Sequence, residues 1–217
     1  MLDLNKLINE QLKLAEKVII NDTFESQKTV GGADQSFEGE SIISAIVVCD
    51  SKTLKVIEKC YAIAKAKMPY IAGFLAYREG PAIAEAFAKL EYKPDIMIFD
   101  GSGILHPRRC GLASHMGVLL DVPSIGVAKE ISLGEINGKI IYVDKEARAE
   151  AVITKEHARP LYISPGHRIS LHKSVELVKG VIAPPHKLPE PLHLAHRYAN
   201  EIRDKLKGGE LKTDIQK

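Results

Sequence analysis

EGPAIAEAFAKLEYKPDIMIFDGSG, residues 79–103, decides the architecture, because two kinds of periodicity meet inside it. EGPAIAEAFAKL spaces its apolar residues as a helix does, whereas PDIMIFDGSG holds a short unbroken apolar run closed by a turn, the pattern of a buried strand. Downstream the alternation continues: GLASHMGVLLD (111–121) is helical and PSIGVAK (123–129) is a further strand. This order calls for parallel pairing. Upstream, TVGGADQSF (29–37), SIISAIVVCD (41–50) and KVIEKCYAIAK (55–65), joined by EGE and SKT, read as a three-strand antiparallel meander. The expectation is an α/β domain: one mixed sheet, the meander plus the parallel strands, flanked by helices.

The ends of the chain complete this plan. Leu4, Ile8, Leu12, Ala15 and Ile19 recur at helical spacing behind a capping Asp3, so an amphipathic helix opens the chain. A two-strand segment is expected around GKIIYVDK and PLYISPGHRIS, then helices over about 171–182 and about 190–206. Residues 1–206 are expected as one domain, a size that buries a substantial core, and 207–217 as a polar tail. A hydrophobic fraction of 45%, a charged fraction of 27% and a formal charge of +2 describe an ordinary globular protein and allow nucleic acid without arguing for it. The three cysteines are scattered with no CxxC pair, which suits a reducing compartment better than a disulfide framework or a zinc finger. The N-terminus mixes charges through its apolar residues, unlike a signal peptide or membrane span. A cytoplasmic monomer is expected.

Two acidic residues do not behave like surface residues. Asp34 lies within an apparent strand, and Asp100 ends the run IMIFD just before Gly101. Residues at the C-terminal ends of parallel strands face the crevice where α/β proteins place their sites. Taken singly, Asp100 could open a turn and Asp34 could sit on an exposed edge strand. Together, on neighbouring strands of one sheet, their carboxylates would converge and repel unless a cation lay between them. Oxygen-only ligands suit Mg²⁺ or Mn²⁺, and the matching chemistry is metal-assisted phosphodiester hydrolysis. Glu79 could add a third carboxylate, although a Glu at a helix start is commonly placed there by the dipole alone. Lys129, at the end of PSIGVAK, would not be selected by position.

GGADQSF, PYIAGFLAYREGP, FDGSGILHPRRCGLASHMGVLLDVPSIGVAK and SPGHRISL stand in the order and spacing of endonuclease V, and the chain resembles that family from about residue 10 to about residue 200. The resemblance implies a ribonuclease-H-like fold. It implies Mg²⁺-dependent cleavage of DNA at deaminated adenine, at the second phosphodiester 3′ to hypoxanthine, with Mn²⁺ able to substitute. By the same resemblance Asp34 and Asp100 are the metal-binding aspartates. Glu79 is the third catalytic carboxylate, with action through metal-bound water as the alternative to direct ligation. Lys129 is a lysine that stabilises charge on the phosphate, and His196, in LHLAHRYA, a histidine near the active site on the last helix. His193, three residues earlier, is read as structural.

Tyr70 resembles the tip of the family's wedge loop, whose ring replaces the stacking lost when a base is displaced, worth roughly 1 to 3 kcal/mol per base. Leu75 and Leu112 match apolar positions of the lesion pocket, and His106 a position near the lesion. Gly101, Gly103 and Gly111 would let backbone groups approach a flipped base, whose O6 needs a donor and whose N1–H needs an acceptor. The chain departs from the family in the wedge, where Ala72 replaces a second proline and frees the loop by about 0.4 to 1 kcal/mol of ordering. Arg108, Arg109, Lys155, Arg159, Arg168 and Lys173 are candidate phosphate contacts. An endoribonuclease acting on inosine in RNA is the alternative reading. A binding module without cleavage would not need clustered acids facing a polyanion.

Overall fold

The computed structural model describes residues 2–211, so residues 212–217 of the expected tail lie outside the described residues. The meander forms as read: β1 (Thr29–Glu38), β2 (Ser41–Asp50) and β3 (Val56–Lys65) pair antiparallel. β4 (Ile96–Asp100) lies parallel to β1, and β5 (Ser124–Ala128) parallel to β4. Each returns through a helix, α2 (Leu75–Ala88) before β4 and α3 (Leu112–Leu120) before β5. The sheet continues with β6 (Glu135–Asn137), β7 (Ile140–Val143), β8 (Glu146–Val152) and β9 (Leu161–His167). Among the described residues it holds nine strands in the order β3-β2-β1-β4-β5-β9-β8-β7-β6. Four strands thus stand where two were expected. β8, EARAEAV, alternates charges with alanine rather than with branched or aromatic residues, and so carries little strand signal of its own.

Both faces of the sheet are covered, and strand period two decides which residues go where. On one face Ala33, Met97 and Phe99 pack with Ile83 and Ala86 of α2 and Met116 of α3. On the other, Val30, Ile96, Ile98, Ile125 and Val127 meet Val175 and Val178 of α4 (Leu171–Gly180) and Leu192 of α5 (Glu190–Lys207). The same alternation carries Asp34 and Asp100 to the α5 face, two residues beyond Gly32 and Ile98, and Lys129 two residues beyond Val127. Gly32 is needed there, since a Cβ would stand 2.3 Å from the Pro191 carbonyl carbon of α5.

Helix boundaries differ from expectation at two places. α1 spans Leu4–Ala15, with Asp3 Oδ1 accepting from Lys6 N at 3.1 Å, and ends before Ile19. Its buried side chain is Gln11, while Leu4 and Leu12 are exposed. α2 begins at Leu75, so Glu79 lies one turn inside the helix rather than at its start, with Pro81 within it. α5, Glu190–Lys207, agrees with the helix expected over about 190–206, so the differences lie in α1 and α2.

Candidate active site

The middle of β1 and the C-terminal ends of β4 and β5 build the site. Ala33 pairs with Phe99 across the β1–β4 ladder, so Asp34 and Asp100 follow side by side, and the β4–β5 ladder, pairing Asp100 with Val127, brings Lys129 next to them. Lys129 Nζ lies 2.5 Å from Asp100 Oδ2. From α5, His196 Nδ1 lies 2.7 Å from Asp34 Oδ2, and Asp34 Oδ1 accepts from Gln35 N at 2.8 Å. Asn200, one turn further along α5, is 3.1 Å from His196 Nε2. Its own Oδ1 accepts from Arg203 at 2.9 Å. The amide must therefore offer its NH₂ to Nε2, which leaves His196 carrying its proton on Nδ1, aimed at Asp34.

Charge is crowded here. Asp34 and Glu79 are 5% and 6% exposed, so neither is a solvated surface acid. Burial, then repulsion from Asp100, pushes the Asp34 carboxyl up to about 6. Burial, then Asp34 and Asp100, pushes Glu79 up to about 8. Burial alone would lower the Lys129 ammonium, yet Asp100 beside it leaves its pKa above the ordinary lysine value. One lysine does not balance three carboxylates. An oxygen-only, over-negative set fits a hard divalent cation. Among the described residues no group of three or more His, Cys, Asp or Glu side chains is placed to hold a metal ion, so Asp34 and Asp100 would act as a pair and leave most of the sphere to water and substrate, as Mg²⁺ prefers.

Next to the acids lies a cavity of about 360 Å³, lined by Tyr70, Leu75, His106, Gly111 and Leu112. Leu75 and Glu79, four apart on α2, share one helix face, which sets an apolar wall beside a carboxylate. Tyr70 is 70% exposed at the rim, free to meet a partner. Gly101 and Gly103 are not among the lining residues. A Cβ on Gly103 would stand 2.0 Å from the Pro165 carbonyl oxygen, so the space it spares is taken by this protein's own backbone. His106 is buried and held below ordinary histidine, to about 4, chiefly by desolvation. Its Nδ1 accepts from Arg108 N and its Nε2 donates to the Gly73 carbonyl at 3.1 Å. His106 thus ties loops together with both nitrogens.

The Gly73 carbonyl also accepts from Gln11 Nε2 and from Arg108 Nη2, both at 2.9 Å. Three donors on one oxygen pin the loop that carries Tyr70. Gln11 escaped the sequence reading; its signal was a polar residue on the apolar stripe, three after Ile8 and four before Ala15. Arg108 is spent on this anchor, also donating to Gln11 at 2.6 Å. Arg109 pairs with Glu146, Arg168 with Asp121 and Lys173 with Glu176. Among the described residues Lys155 and Arg159 have no acidic partner.

Comparison with known proteins gives the same picture. The family model for Endonuclease V matches residues 12–197. Endonuclease V of Dictyoglomus thermophilum is 43% identical over 199 residues, 88% of this chain and 87% of the relative. That of Geotalea uraniireducens is 38% identical over 216 residues, covering 96% and 92%. The Bacillus subtilis Endonuclease V crystal structure superposes with a TM-score of 0.88 at 30% identity, covering 96% of this chain and 95% of that one. The Ciona intestinalis enzyme, solved with a 24mer DNA containing an inosine followed by a ribo-adenosine, superposes at 0.83 with 28% identity, covering 94% and 98%. Among the described residues, no helix is long and apolar enough to cross a membrane.

Proposed function

This chain belongs to the endonuclease V family, and from that premise we propose that it acts as one catalytic domain on hypoxanthine in DNA and hydrolyses the second phosphodiester on its 3′ side with Mg²⁺. Family membership makes it a nuclease, a hydrolase of phosphodiesters. The observation that carries the finer reading is adjacency. A cavity sized for a base, with an exposed Tyr at its rim, has Leu75 and Ser102 on its wall, one helical turn from Glu79 and two residues from Asp100.

Asp34 and Asp100 would hold the ion, for which Mn²⁺ can substitute, and the bound ion would polarise the phosphoryl oxygen and lower the pKa of water. His196 fixes Asp34 through Nδ1–H. Lys129, beside Asp100, is placed to meet negative charge as it grows on the phosphate. Glu79, raised to about 8 without a cation, keeps a proton near neutral pH and gives it up as positive charge approaches. On the recognition side, Tyr70 fills the stack a displaced base leaves. Leu75 and Leu112 sandwich the base, and, since the Gly111 and Ala113 N–H groups already donate to the Gly103 and Ser102 carbonyls at 3.0 Å, the backbone N–H at the start of α3, that of Leu112, is left among the donors for O6. Adenine would bring an amino group to those donors and leave polar groups unpaired, at about 1 to 3 kcal/mol each. The Ciona complex, with a ribonucleotide after its inosine, keeps inosine in RNA as the second reading.

The test is a 5′-labelled strand with a single inosine, made as DNA and as RNA. With Mg²⁺ the DNA is expected to give one nick, one phosphodiester beyond the inosine's own 3′ bond, and no free hypoxanthine. Base release leaving an abasic site would make the enzyme a glycosylase instead. Faster cutting of the RNA would put the second reading first.

A further inference from the structure

A second cavity, of about 450 Å³, opens beside the acids on the α5 face of the sheet, with Lys129, Lys155, His186, Lys187, His193 and His196 on its walls. Among the described residues, no Asp or Glu lines it. Lys129 and His196 belong to the site already described, whereas Lys155 and Lys187 have no acidic partner among the described residues. The groove is built rather than incidental. Thr154 Oγ1 donates to the Lys187 carbonyl at 2.6 Å, tying the loop after β8 to the loop before α5. His186 and His193 stack with ring centroids 3.7 Å apart, and Glu190 Oε2 holds His186 Nδ1 at 2.6 Å. Lys129, His186 and His196 each have a carboxylate partner, so Lys155 and Lys187 are the cations of this wall left to raise the local concentration of a polyanion.

Position says which part of a polyanion. The base cavity is walled by α2 and the start of α3, the helices of one face, while this groove is walled by α5 on the other. The row Asp34, Asp100, Lys129 crosses three central strands on the α5 face, the face of this groove. We propose that this groove binds the phosphodiester backbone of the strand on the 3′ side of the cut, with Lys155 and Lys187 meeting successive phosphates and the His186–His193 stack forming its floor. The inference rests on the function proposed above. His193, three residues before His196 on α5, becomes part of this floor.

The test compares wild type with the Lys155→Ala/Lys187→Ala double variant on inosine strands that end just past the cut and on strands about six nucleotides longer, within the range one binding surface covers. Wild type should bind the longer strand more tightly and show a lower KM on it. The double variant should lose that advantage, with the loss falling on KM. Its plot of log affinity against log salt should be shallower by about 0.7 for each phosphate of a single strand that the missing lysines no longer neutralise. Lys187→Glu should weaken the longer strand further. An unchanged slope together with a retained length advantage would overturn the groove. If wild type does not prefer inosine to adenine, the functional reading fails, and the salt slope on undamaged DNA still decides the groove.

Discussion

Asp100 meets two opposing demands. It holds Lys129 at 2.5 Å, and it stands beside Asp34, whose charge it makes harder to keep. Replacing it by Asn keeps the shape, removes a cation ligand and relieves the repulsion. Asp100→Asn is therefore expected to abolish Mg²⁺-dependent nicking of inosine DNA while its melting temperature in EDTA does not fall below wild type. Wild-type nicking by the purified variant would end the assignment of this carboxylate to the metal. The pair was visible in the chain because a carboxylate inside an apolar strand, Asp34, and one closing a strand, Asp100, are local features. Lys129 and His196 were not, since nothing near a lysine after a strand, or a histidine on an amphipathic helix, reports a partner as distant in sequence as Asp34 is from His196. Family resemblance supplied them, and the geometry then brought them to the acids.

At the scale of elements, the Tyr70 loop is rigid at its base and exposed at its tip. Tyr70→Ala removes a stacking surface worth roughly 1 to 3 kcal/mol and no charged group. Affinity for an inosine duplex should fall by about that amount, while a single strand, with little stack to invade, loses less and Mg²⁺ affinity is unmoved. Parallel titrations on the two substrates separate this from a packing role, which would weaken both alike. The meander and the strand–helix alternation were legible because each element buries a continuous face. The extra strands β6 and β8 were not, being short or built from alternating alanine and charge. The start of α2 was hidden as well: Phe74 at its N-cap makes no side-chain capping bond, so the sequence lacks the polar residue that announces a helix.

The molecule as a whole carries the cost of its acids as a dependence on pH. Folding raises Asp34 from 3.8 to about 6 and Glu79 from 4.5 to about 8. Between those limits the folded chain holds more protons than the unfolded one, so this contribution to stability is present at low pH and is lost as pH rises through the window. Thermal melts in EDTA should show the melting temperature falling from the ordinary carboxylate range toward about pH 8, by about 2 to 4 °C for each kcal/mol lost in a chain of this length. Mg²⁺ should restore more at the alkaline end than at the acid end, and Glu79→Gln should flatten the upper part of the fall. A flat wild-type profile would mean the acids are relieved by something other than a metal. The Gly73 carbonyl reaches across the chain in another way. Gln11, on a helix that looks like dispensable packing, holds the same oxygen as His106 and Arg108, so the first dozen residues act as a mechanical brace for the loop that carries Tyr70, the wedge proposed above. Trimming the chain at its start, as a designer of shorter nucleases would be tempted to do, would leave Asp34, Glu79 and Asp100 in place and loosen the loop under Tyr70, so duplex substrates are expected to suffer while the acids stay set.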